Sequence, residues 1–177
     1  MREGELVNGN SHSNTEVGEA ALPATVTVGF TLNDRRVEAE VEPRTSVLDL
    51  VRRLGCTGTH ASCEQGVCGT CTVLLDGKPV RSCLLLAVQA DGRSVETVES
   101  LGDDAEPDPL QRAFSAQRSL QCGFCTPGFL MLARGLLNEK PAAFSEEIRD
   151  ALSSNLCRCT GYESIVRAVE QVASSAR

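Results

Sequence analysis

The chain has 177 residues, room for one ordinary domain or two small ones. With no Trp, one Tyr and five Phe, its core must be aliphatic or be held by something else, and nine cysteines suggest what that is. The formal charge of −7 and the lack of a basic stripe exclude a phosphate-binding surface, so nucleic acid is not an expected partner.

Residues 1–24 are rich in Gly, Asn, Ser and Glu and poor in large apolar groups, which predicts a disordered tail. No basic stretch there runs into an apolar one, as a signal peptide would require, and Arg35-Arg36 and Arg52-Arg53 precede no such run. No apolar stretch approaches membrane-spanning length, so no membrane span is expected. The expectation is a soluble cytoplasmic protein. Thiols stay reduced in that compartment, so clustered cysteines point to metal or redox chemistry, and their odd number weakens a disulfide reading further.

From Thr25 the pattern alternates. Val26, Val28, Phe30 and Leu32 form one half-buried strand and Val37, Ala39 and Val41 another, joined by a turn at Asn33-Asp34. Ser46 is placed to cap a helix with Val47, Leu50, Val51 and Leu54 on one face, stopped by Gly55. A loop dense in Gly and Cys runs from Thr57 to Thr70. Strands follow over Cys71–Leu75, from Val80, and around Val95–Val98, with turns at Asp76-Gly77 and Asp91-Gly92. The first domain, residues 25–100, is therefore expected to be a mixed sheet with one helix beside it.

Residues 101–108 read as an acidic linker, and Asp103, Asp104 and Glu106 there suit solvent better than catalysis. The segment 109–177 reads as four helices, a small bundle. Pro109 suits a first turn ahead of Leu110, Ala113 and Phe114. Phe129, Leu132, Ala133 and Leu136 make a second stripe. Ser145 with Glu146 and Glu147 opens a third helix, and Thr160 with Glu163 reads as a capping box for a fourth.

Cys63, Cys68 and Cys71 are spaced C-x4-C-x2-C, and Cys83 follows after eleven intervening residues. This is the plant-type [2Fe–2S] spacing, three thiolates on one tight loop and a fourth farther on. Gly66 and Gly69 let that backbone close around a compact anionic core. Structural zinc favours cysteines two and two, and a Rieske centre needs two His on one iron, while this chain has only His12 and His60.

The second set, Cys122, Cys125, Cys157 and Cys159, is spaced C-x2-C and C-x-C. Alone it suits zinc or iron–sulfur equally; beside a plant-type loop, iron–sulfur is favoured. Each half is followed by a Thr able to cap the next helix, Thr126 or Thr160, so two helix N-termini could face four sulfurs and favour their negative charge. Cys56 reads as a small buried apolar side chain, and His60 as a hydrogen-bonding loop residue near the first set.

The run Gly58-Thr59-His60-Ala61-Ser62-Cys63-Glu64-Gln65-Gly66-Val67-Cys68-Gly69-Thr70-Cys71-Thr72-Val73 resembles the first-cluster loop of the xanthine oxidase family. Gln121-Cys122-Gly123-Phe124-Cys125-Thr126-Pro127-Gly128 and Asn155-Leu156-Cys157-Arg158-Cys159-Thr160-Gly161-Tyr162 resemble that family's second-cluster motifs. The resemblance covers about residues 25–173. It implies an α+β chain: an N-terminal β-grasp, plant-type ferredoxin-like domain, then a C-terminal four-helix bundle domain. It implies two [2Fe–2S] clusters held by the eight cysteines, with Gln121 and Cys159 close to a pterin. It implies a large subunit with molybdopterin and a medium subunit with FAD, assembled as a dimer of heterotrimers. On this reading the chain is the iron–sulfur subunit of a molybdenum-dependent oxidoreductase, relays electrons and carries no catalytic residue of its own. Two departures stand out, Cys56 where an aliphatic residue is common and a longer tail. The alternatives are a free-standing two-cluster ferredoxin and a zinc-stapled interaction module.

Overall fold

The computed structural model describes residues 24–102 and 105–176. The expected tail, Ala24 excepted, and Asp103 and Asp104 of the expected linker lie outside the described residues.

Strands β1 (Val26–Leu32) and β2 (Arg35–Val41) form the expected antiparallel hairpin, Val26 opposite Val41 and Leu32 opposite Arg35. Asn33 and Asp34 both take positive φ, 47° and 63°, the twist a two-residue hairpin turn demands. Helix α1 (Val47–Arg53) starts at Ser46, whose Oγ accepts the Asp49 N–H at 3.1 Å. Strands β3 (Thr72–Leu75), β4 (Lys78–Arg81) and β5 (Ser94–Glu96) complete a sheet of order β2-β1-β5-β3-β4. Among the described residues only the β1–β5 pairing is parallel. A mixed sheet with α1 packed on it is the β-grasp. Phe30, Val47, Leu50, Val51, Val73 and Val95 fill its core.

Two local expectations are corrected. The last strand ends at Glu96, because the Thr97 N–H turns to Asn33 Oδ1 at 2.8 Å and Val98–Ser100 coils into a 3₁₀ turn. A second 3₁₀ turn, Ala87–Ala90, occupies a stretch with no sequence signal that singled it out.

The second half holds α2 (Pro109–Ala116), α3 (Thr126–Glu139), α4 (Ser145–Leu152) and α5 (Glu163–Ser174). Asp108 caps α2: its carboxylate accepts the Leu110 N–H at 2.8 Å, and Gln111 Oε1 accepts the Asp108 N–H at 2.8 Å. Its other oxygen pairs with Arg134 of α3. Leu110, Phe114, Phe129, Ile148, Leu152 and Ile165 are the core. The stripe expected on α3 is too narrow. Met131 and Gly135 are buried as well, and Leu136 only partly, because α3 lies on β3 and β4 as well as on its fellow helices.

Neither Thr serves as the expected cap. Thr126 is the first residue of α3, which has no side-chain cap bond. Helix α5 starts after Tyr162, at φ 68°, and has none either. Ser145 opens α4 from inside the helix, while Glu147 Oε2 accepts the Phe144 N–H at 3.0 Å. No described helix is long and apolar enough to cross a membrane.

Candidate metal centres

The loop between α1 and β3 folds back on itself. Gly66 and Gly69 take φ of 77° and 74°, and even Glu64 is left-handed at 53°. The turn directs the amides of Cys68 and Gln65 at Cys63 Sγ, 3.3 and 3.5 Å away. Those donors, with the Cys68 side chain, draw the Cys63 thiol down to about 6. Cys71 is buried where the loop enters β3. Ser82 fixes the turn that carries Cys83 by donating its hydroxyl to the Cys71 carbonyl at 2.7 Å. Burial pushes the Cys83 thiol up to about 11, aided by the neighbouring Cys71 and the charge of Cys63. Loop and turn thus bring Cys63 beside Cys68 and Cys71 beside Cys83, with Cys63 favouring thiolate and Cys83 disfavouring it.

The second set comes from two stretches far apart in sequence. Cys122 and Cys125 precede α3, and Cys157 and Cys159 precede α5. Cys159 Sγ lies 3.7 Å from Cys122 Sγ. Cys125 and Cys157 hydrogen-bond one another, and burial, with that contact, pushes Cys125 up to about 12. Burial also acts against the Cys157 thiolate, but the Thr160 hydroxyl and amide, donating to Sγ at 3.1 and 3.4 Å, bring its pKa below the ordinary value. Cys159 is raised by its contact with Cys122. Gln121 Nε2 donates to the Cys159 carbonyl at 3.0 Å, fastening the two stretches together. Cys122, Cys159 and Gln121 are exposed.

Between the two sets the contact is dense. The Leu156 N–H donates to the Cys68 carbonyl at 2.9 Å, and Asn155 Nδ2 to the Gly69 carbonyl at 3.2 Å. Arg81 reaches across to the Ser154 carbonyl at 2.6 Å. Gly128 of α3 sits so close that a Cβ there would stand 2.4 Å from the Gly69 oxygen. A cavity of about 590 Å³ is lined by Cys68 of the first set and by all four cysteines of the second.

His60 does hydrogen-bond, but across this junction. Its Nδ1 lies 2.7 Å from the Phe124 carbonyl, which only accepts, so Nδ1 carries the proton. The two rings stack at 4.7 Å. Cys56 is half-buried rather than buried, packs against the first core, and accepts from Asn33 Nδ2 at 3.5 Å; burial raises its pKa. Sequence reasoning missed Arg81, Asn155 and Phe124 as junction residues, because nothing local marks a contact between distant stretches.

The donor sets fit [2Fe–2S] clusters. The sulfurs neighbour one another in twos: Cys63 with Cys68, Cys71 with Cys83, Cys122 with Cys159, Cys125 with Cys157. Two thiolates for each of two irons is the requirement of a diiron core.

Fold and sites together define a protein of two [2Fe–2S] domains. Residues 30–101 match the 2Fe-2S iron-sulfur cluster binding domain and residues 97–170 the [2Fe-2S] binding domain. The chain is 50% identical over 149 residues to caffeine dehydrogenase subunit gamma of a Pseudomonas species, covering 82% of this chain and 89% of that one. It is 52% identical to the nicotine 6-hydroxylase small subunit of Paenarthrobacter nicotinovorans, covering 81% and 87%. The crystal structure of quinoline 2-oxidoreductase from Pseudomonas putida 86 matches with a TM-score of 0.83 at 49% identity, over 88% of this chain and 98% of that one. The chain belongs to the family of iron–sulfur small subunits of the molybdenum hydroxylases. It is an electron-transfer subunit of an oxidoreductase.

Proposed function

We propose that this chain relays electrons, one at a time, from a molybdopterin site on a large partner subunit to FAD on a medium partner subunit during oxidative hydroxylation of a small substrate. In this reading Cys63, Cys68, Cys71 and Cys83 hold one [2Fe–2S] cluster within residues 25–100. Cys122, Cys125, Cys157 and Cys159 hold the other within 109–177, with 101–108 as linker. When bound, each cluster supplies reversible one-electron chemistry.

The observation that carries the reading is the Leu156 N–H bonded to the Cys68 carbonyl at 2.9 Å. It puts a cysteine of the first set and the neighbour of Cys157 on one bonded path. A free shuttle needs no second site so joined to the first. The protein's own work is positional. The Gly-rich loop aims amides at Cys63, Gln121 holds Cys159, and the junction of Arg81, Asn155 and Gly128 keeps the two sets in register.

Gln121 and Cys159 are the residues proposed to meet the pterin. Both are exposed and bonded to each other, an edge left for a partner subunit to cover. Assembly as a dimer of heterotrimers in the cytoplasm completes the reading.

The test is chemical. Anaerobically isolated protein is expected to carry about four irons and about four labile sulfides per chain. It should elute as a large complex, with a molybdopterin subunit and a flavin subunit identified by mass spectrometry. A colourless zinc protein, or a monomer carrying both clusters, would overturn it.

A further inference from the structure

The sequence places Thr160 where a helix cap belongs, yet the structure uses it otherwise. Helix α5 begins without a side-chain cap, after Gly161 at φ 66° and Tyr162 at φ 68°. Two consecutive left-handed residues, one with a full side chain, are a costly way to start a helix. What this backbone achieves is the placement of one hydroxyl. Thr160 Oγ1 accepts the Tyr162 N–H at 3.2 Å and donates to Cys157 Sγ at 3.1 Å. The Thr160 amide donates to the same sulfur at 3.4 Å. The Tyr162 hydroxyl accepts the Cys157 N–H at 3.0 Å, which holds the cysteine's own backbone in place. A donor feeding Oγ1 strengthens the hydrogen bond that Oγ1 makes in turn. In the first set, Cys63 Sγ takes its bonds from the backbone amides of Gln65 and Cys68, which no substitution removes cleanly.

We infer that Thr160 sets the reduction potential of the helical-domain cluster, raising it by donating its hydroxyl proton to the Cys157 sulfur. This rests on the reading that Cys157 holds that cluster. Reduction adds one electron, and part of its charge falls on the cysteine sulfurs. A proton donor at the sulfur stabilises the reduced form more than the oxidised one, so the potential rises. Thr160 is a positioning residue: it acts through Cys157. The left-handed Tyr162 is kept because it brings its N–H to Oγ1 while the Oγ1 proton is directed at the Cys157 sulfur.

The test is a redox titration of the intact complex, followed by EPR, in T160V and T160S. Valine keeps the β-branched shape and removes the proton. In T160V the reduced-to-oxidised ratio of the helical-domain cluster at fixed poise should fall about tenfold, a midpoint lower by about 59 mV for a one-electron couple. The other cluster's midpoint should stay put. T160S keeps the hydroxyl and should restore the parent value. An unchanged midpoint in T160V, or a fall as large in T160S, overturns the inference. Should T160V fail to hold its iron, the unsubstituted complex decides. After brief exchange into D2O the hydroxyl is labelled ahead of the amide, and ENDOR must then find a deuteron coupled to the helical-domain cluster; its absence overturns the inference. Iron and sulfide counts on the parent complex separate this from the parent reading: one cluster per chain refutes the ligand assignment, two with an unmoved midpoint refute only the role of Thr160.

Discussion

Leu156 and Cys68 share a backbone hydrogen bond of 2.9 Å, although 88 positions separate them in the chain. Asn155, the residue before Leu156, is 1% exposed and bonds the next carbonyl along, that of Gly69. Two consecutive residues of one cysteine stretch therefore seat on two consecutive residues of the other. Asn155→Ala should remove half of that seat at a cost of about 1–3 kcal/mol. Both clusters should still assemble. The magnetic interaction between the two reduced clusters, read by EPR, should weaken, and thermal unfolding should come earlier. A variant with the parent spectrum and the parent unfolding curve would show the seat to be incidental.

Gly69 is the most constrained position in the junction. Its φ is 74°, and a Cβ would stand 1.9 Å from Asn155 Oδ1. That oxygen has no conventional hydrogen-bond partner, which fits a side chain laid flat on the glycine. Gly69→Ala should cost about 1–2 kcal/mol from the backbone alone, with further loss as Asn155 is displaced. Gly55, with nothing within 4 Å of its would-be Cβ and φ 97°, supplies the control. Gly55→Ala carries the backbone cost without the collision. Differential scanning calorimetry of the two iron-loaded variants should rank Gly69→Ala clearly lower.

Cysteine replacements should divide the nine into two kinds. Cys63→Ser removes the sulfur at which two amides point and should abolish one cluster's EPR signal, cutting iron per chain by about half. Cys56→Ser should leave both signals, since Cys56 packs against the first core and bonds Asn33. Loss of a cluster in the Cys56 variant would refute its assignment as a packing residue.

Asp108 joins the two halves of the helical domain by capping α2 and pairing with Arg134 of α3. Its side chain is only 12% exposed, so the pair is partly shielded from solvent. Asp108→Ala should destabilise by about 2–3 kcal/mol, about 1 from the cap and the rest from the stranded guanidinium. Asp108→Asn keeps the cap and should lose only the second part. Equal losses in both variants, measured by chemical denaturation, would assign the whole effect to the ion pair.

Much of this protein is written locally. The alternation of Val26, Val28, Phe30 and Leu32, the turn at Asn33-Asp34, the Ser46 cap and the C-x4-C-x2-C loop each depend on neighbours a few residues away, so period, turn chemistry and spacing disclose them without a structure. The donor types of both cysteine sets are legible for the same reason. What could not be read is whatever distant stretches settle between them. Leu156 on Cys68, Arg81 on Ser154, and His60 against Phe124 leave no periodic trace, since either partner alone is an ordinary residue. Thr160 shows the limit most plainly. Its local context predicts a cap, but its hydroxyl donates to the Cys157 sulfur at 3.1 Å, and the helix starts after two residues of positive φ. Sequence by itself determined the two cysteine sets and the donor type each offers. Only the tertiary structure decided how the two sets face each other and which side chain touches a sulfur, because those are set by long-range packing that no window of residues contains.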